Sequence, residues 1–177
     1  MLELFRKSKV LKENLATKRS KLKRSFLSNK ENQWILKDRY LLESFKSFFD
    51  RLNEKQVTRL LKERPIAFIK AQGKYACALS AQKDFHIIMI FPEIEKMLKS
   101  PLPEEGLAIL AHEVGHIFYQ HSYRDIDPLE AQIEADSFAC DMGLTLPLES
   151  FLQKYEHTIE GKVRISRVTC RHFNENH

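Results

Sequence analysis

Cysteine is scarce in this chain of 177 residues: Cys77, Cys140 and Cys170 are the only three, and none sits in a C-x-x-C pair. Any even disulfide scheme leaves one over, which argues against a disulfide-stapled secreted framework and for a reducing, cytoplasmic setting. Long apolar runs are missing as well. The longest, IIMIF (87–91) and LAILA (107–111), fall far short of the roughly 18 residues that mark a membrane span. The start, MLELFRKSKV, carries charges where a secretory signal needs an unbroken apolar stretch. No transmembrane segment and no signal peptide are expected. Internal repeats and low-complexity tracts are absent too. What remains is 43% hydrophobic, enough for one ordinary core and too little for two comfortable domains.

The charge is unevenly spread. Residues 1–24 hold nine basic side chains (Arg6, Lys7, Lys9, Lys12, Lys18, Arg19, Lys21, Lys23 and Arg24) against Glu3 and Glu13, while the rest of the chain is slightly acidic. Residues 1–30 therefore read as a basic, amphipathic helical extension before a main domain at 31–177. Two roles compete for it: an arm that binds nucleic acid, an acidic partner or an anionic surface, and a solvated helix that packs through Leu4, Leu11, Leu15, Leu22 and Phe26.

From Gln33 to Phe49 apolar and aromatic residues recur at three and four, which predicts one helix with a broad core face. Asn53 caps a short helix that ends before Pro65. The period then changes: IAFIKAQ, KYACALSA and FHIIMIF are short β-rich runs that predict a small, mostly antiparallel sheet. Pro92 opens a short helix. Glu104 and Glu105 stand in the first turn of a longer one, where negative charge is favoured. Two more helices are expected over 148–157 and 161–173.

That longer helix carries HEVGH (112–116). Residues four apart on a helix lie one above the other, so His112 and His116 can present their imidazoles to one metal ion, with Zn2+ the natural candidate. Glu113, rotated by about 100°, falls beside the ion's open position, where it can deprotonate a water. Leu107, Leu110, Val114, Ile117 and Phe118 form a separate apolar stripe. Gly115 costs about 1 kcal/mol against alanine in a helix, which implies crowding at that point.

A zinc peptidase site needs a third protein ligand. In the metzincin pattern that ligand is a histidine six residues past His116, but position 122 is Ser122 and His121 comes one residue early, so His121 reads as a structural or surface histidine. The stretch DPLEAQIEADSFACDMGL (127–144) supplies carboxylates on a helix started by Asp127 and Pro128. HEVGH, the trailing His121 and EADSFACDMGL (134–144) together resemble the gluzincins, in particular ImmA/IrrE-type and HtpX-like soluble peptidases. The resemblance covers about the last 75 residues. It implies a second motif E-x-x-A-D whose first Glu binds zinc, but on Ala135 and Asp136 that register puts Gln132 at the ligand position. Glu134, Gln132 and Glu130 are thus the alternatives. A carboxylate is the better zinc ligand, and Glu134 is the expected one. The helical phase puts Ala131, Ala135, Phe138, Ala139 and Met142 on the buried face, with Glu130 and Asp136 farther out. Asp136 is a candidate acceptor for a histidine N–H. Tyr119, Tyr123, His157 and Arg164 are candidate oxyanion stabilisers.

These readings add up to an α+β domain with a basic helical extension, acting as a zinc-dependent metallopeptidase on protein or peptide substrates. His112, His116 and Glu134 hold Zn2+ and Glu113 serves as general base. The alternative is a non-catalytic protein of the same fold that uses its basic helix to bind nucleic acid or an acidic partner. Gln132 favours that alternative and Glu113 favours the enzyme.

Overall fold

A computed structural model describes residues 13–72, 76–79 and 84–175. Arg6, Lys7, Lys9 and Lys12 of the first segment, with Leu4 and Leu11, lie outside the described residues. From Glu13 onward the chain is laid on the body. Helix α1 (Leu15–Ser28) is capped by Asn14, whose side chain accepts from Thr17 N. It packs with Leu15 and Leu22 half-buried and Phe26 in the core. There the Phe26 ring stacks on Phe45 and meets Phe49 and Phe68 edge-on at centroid distances of 5.5, 4.9 and 4.7 Å. A 3₁₀ turn (Lys30–Asn32) follows, and the buried Asn32 amide binds Phe26 O and Ile66 O while its oxygen accepts from Phe68 N.

The single helix expected over 33–49 is two, α2 (Gln33–Leu36) and α3 (Arg39–Arg51). Asp38 makes the break, because its carboxylate accepts from Tyr40 N and Leu41 N and so caps a new helix. Helix α4 (Glu54–Leu60) starts with the reciprocal Asn53 and Gln56 capping box. Strands β1 (Ile66–Lys70), β2 (Ala76–Leu79) and β3 (His86–Ile90) form one sheet in the order β1-β3-β2. The expectation of a mostly antiparallel sheet is corrected: β3 pairs parallel with β1, Ile66 opposite His86, and antiparallel with β2, Ala76 opposite Ile90. The cause is topological, since β3 inserts between β1 and β2 and separates the two strands that run in opposite directions.

Beyond the sheet lie α5 (Pro92–Leu98), α6 (Glu104–Phe118), α7 (Pro128–Cys140), α8 (Thr145–Gln153) and α9 (Ile159–Glu175). Among the described residues no helix is long and apolar enough to cross a membrane. Helix α6 is central, with Leu107, Leu110, Val114, Ile117 and Phe118 all buried. It ends where Gln120 takes a left-handed conformation at φ 58°, a cost for a residue with a Cβ, and the side-chain amide is held by Glu63 at 3.0 Å. Helix α7 begins with Asp127 as cap and Pro128 in its first turn, as the sequence suggests.

Helices α6 and α7 meet at Gly115. A Cβ there would stand 3.0 Å from Ala135 Cα, Ala135 O and Phe138 Cβ, tighter than ordinary packing on every side. The crowding expected at this glycine is therefore α7 itself. Gly115→Val should destabilise the protein by about 2–3 kcal/mol through overpacking against backbone atoms that cannot rotate away, as measured by urea unfolding. An unchanged unfolding midpoint would show that the two helices do not touch at this point.

Candidate metal centre

His112 and His116 follow the α6 axis one turn apart and turn their Nε2 atoms toward each other at 3.2 Å. Both open onto a cavity of about 580 Å³ bounded by α6, α8 and the start of α9, and Glu113 lines the same cavity. The other nitrogen of each ring is already engaged. His112 Nδ1 lies 2.7 Å from Asp136 Oδ1, and Arg164 grips that carboxylate with Nε and Nη2, each at 2.8 Å. His116 Nδ1 lies 2.7 Å from His121 Nδ1. His121 Nε2 in turn reaches Glu134 Oε2 at 2.9 Å, and Arg124 holds Glu134 through Nη1 and Nη2 at 2.6 and 3.2 Å.

These contacts assign the protons. Burial pushes the Asp136 carboxyl up, but hydrogen bonds from Arg164 and His112 more than offset it and leave the pKa below the usual value. Arg124 does the same for Glu134, against a smaller effect of burial. Ionised carboxylates only accept, so His112 donates from Nδ1 and His121 donates from Nε2. In its uncharged form an imidazole that donates at Nε2 accepts at Nδ1, and His116 then donates to it. Burial, with the neighbouring His112 and His121, pushes the His116 pKa down to about 3, which keeps that ring neutral near pH 7. Each Nε2 is therefore left with a lone pair, and two lone pairs 3.2 Å apart repel unless a cation stands between them.

The spacing fits such an ion. Two nitrogens on one tetrahedral zinc at about 2.0–2.1 Å are separated by about 3.3 Å. Zinc thus fits the two histidines. An anionic donor set is not assembled, since no group of three His, Cys, Asp or Glu side chains able to hold a metal occurs among the described residues. The third oxygen or nitrogen donor that the cavity offers from α7 is the amide of Gln132.

Glu134 does not line the cavity and is committed to His121 and Arg124, whereas Glu130 is exposed and outside it. Gln132 and Asp136 are one turn apart, and Glu134 is rotated by about 200° from Gln132. The buried face expected for α7 is present, with Ala131, Ala135, Phe138, Ala139 and Met142 all buried. Asp136, expected farther out, is buried at 3% exposure, because α9 covers a second face of α7 and brings Arg164 to it. The proposed contact between Asp136 and a histidine N–H is formed. Of the oxyanion candidates, Tyr123 and Arg164 line the cavity, Tyr119 stacks on His121 at 5.7 Å and 9°, and His157 is exposed outside it.

Sequence reasoning missed His86 and undervalued His121. His86 lines the cavity from β3, is 3% exposed, and finds no hydrogen-bond partner among the described residues, with Glu63 Oε2 at 3.6 Å. A lone histidine in an apolar strand gives no signal of this. Compared with family models, curated proteins and solved structures, the chain matches none.

The Arg164–Asp136 pair is buried, with side chains 13% and 4% exposed. Arg164→Met should lower stability by about 3–5 kcal/mol, since it strands a buried carboxylate. Glu160, an exposed partner of the same guanidinium, should contribute at most about 1 kcal/mol when replaced by Ala. Denaturant unfolding of the two variants separates these cases, and similar losses for both would place the stabilisation elsewhere.

Proposed function

We propose that the chain is a zinc-dependent metallopeptidase in which His112, His116 and Gln132 hold the metal and Glu113 is the general base. The observation that carries this is the facing pair of Nε2 atoms 3.2 Å apart, with both Nδ1 atoms occupied by chains that end on carboxylates. When bound, zinc supplies a Lewis acid that polarises a carbonyl and acidifies a water. Glu113 takes a proton from the attacking water and returns it to the leaving amine. Asp136 and Arg164 hold the His112 ring in place. The cavity's apolar wall, with Ile109, Ile117, Leu148, Phe151 and Leu152, excludes water and suits a peptide presenting a large apolar side chain.

Glu134 was the chemically preferred ligand. Its ion pair with Arg124 and its place outside the cavity lining favour Gln132, which the peptidase register also indicates. A neutral third donor leaves the site without a protein anion in contact with the ion, and this weakens zinc binding relative to a glutamate. The same feature supports the alternative of a non-catalytic interaction protein. Against recognition of nucleic acid by the described part of the basic segment, Lys18, Lys21 and Lys23 pair with Glu54, Glu13 and Asp50, and Arg19 binds Leu52 O.

Zinc titration of the purified protein with a peptide-cleavage assay tests the proposal. Glu113→Gln should retain zinc and lose on the order of 10² to 10⁴ in rate. Gln132→Glu should raise zinc affinity, whereas Gln132→Ala should lower it. No zinc binding by the wild type, or full activity in Glu113→Gln, would overturn the peptidase reading. Indifference of zinc affinity to both Gln132 variants would remove Gln132 from the ligand set.

A further inference from the structure

The histidine five residues past His116 has no part in a three-ligand zinc site, yet it is among the best-held side chains in the cavity wall. His121 is 7% exposed, is bonded at both ring nitrogens, and has the Tyr119 ring stacked on it. It reaches back to His116 because the left-handed Gln120 ends α6 and a short 3₁₀ turn (His121–Tyr123) reverses the chain. Glu134 fixes His121, and Arg124 fixes Glu134 with two hydrogen bonds.

We propose that His121, held by Glu134 and Arg124, is a positioning residue that locks His116 in the Nδ1–H tautomer and thereby presents its Nε2 lone pair to a metal. This rests on the reading of the site as a zinc centre. The direction of the relay follows from its end. Glu134 can only accept, so His121 Nε2 donates to it, and in the uncharged imidazole Nδ1 then accepts from His116 Nδ1. Without this chain His116 can place its proton on Nε2 or swing out of line, and either change removes a donor from the ion. His112 is fixed by a carboxylate directly, while His116 is fixed through an intervening imidazole. Glu134 thus contributes to metal binding without touching the metal.

Zn2+ affinity of the full chain, measured with a competing chelator, tests this, with thermal unfolding of the metal-free proteins alongside. His121→Leu cannot accept from His116 and should weaken zinc binding by about 10- to 100-fold, the usual effect of removing a partner that orients a ligand. His121→Gln, whose amide oxygen accepts while its nitrogen donates, should recover most of that loss. Arg124→Ala should weaken binding in the same direction by a smaller factor. It lies on a side chain 43% exposed and so leaves the core unchanged even if His121→Leu fails to fold. Equal losses for His121→Leu and His121→Gln, or unchanged affinity in Arg124→Ala, would overturn the proposal and leave His121 a packing residue. A wild-type protein that binds zinc but is indifferent to His121→Leu overturns this proposal alone; a wild-type protein that binds none overturns it together with the reading it rests on.

Discussion

The close approach of α6 and α7 at Gly115 sets the geometry of everything around the histidines. With no side chain at Gly115 and only a methyl at Ala135, the two backbones come into direct contact, and Ala108, Ala111 and Ala139 keep neighbouring turns equally thin. Small residues bury little apolar area, so the contact depends on dense packing rather than on large side chains. Asp136 is the residue next to Ala135, and the short helix separation is what lets its short side chain reach His112 Nδ1 at 2.7 Å. A longer spacing would break that bond and shift the whole of α7 relative to the cavity.

Two guanidinium–carboxylate forks close the site on opposite sides. Arg164 with Asp136 stands behind His112, and Arg124 with Glu134 stands behind His121 and, through it, His116. Each fork keeps its carboxylate charged and in one orientation, and a charged carboxylate is what decides where the imidazole protons sit. The two sides are not equivalent. The Asp136 side chain is 4% exposed and the Glu134 side chain 28% exposed, so solvent screens the second fork more than the first. His112 is therefore held by the drier and more rigid arrangement.

Much of the local structure was legible in the residues. HEVGH lies on a helix, Asn53 and Asp127 cap the helices they precede, and the alanine-rich face of α7 is buried. Each of these follows from contacts within one or two turns. The break in the helix expected over 33–49 was missed because a hydrophobic period runs through Asp38, whose side chain caps α3. The parallel pairing of β1 and β3 escaped because strand direction depends on which strand inserts between the others, and short β-rich runs carry no information about order. Phe26, placed with the basic segment by its neighbours, lies among Phe45, Phe49 and Phe68, a meeting of residues far apart in the chain.

The sequence by itself determined the phase of each helix. His112 and His116 share a face because they are four apart, as Gln132 and Asp136 do, and Glu134 is about 200° away from Gln132 for the same reason. Only the tertiary structure decided which of those faces meets the cavity. Seen from α7 alone, Gln132 and Glu134 are equally placed to either side of the buried alanines. The crossing of α6 over α7 at Gly115 and the cover of α9 turn the Gln132 side toward the cavity and leave Glu134 to His121 and Arg124. Helix phase is a local property repeating every turn, whereas the direction of a cleft is fixed by contacts between residues far apart, such as Arg164 with Asp136.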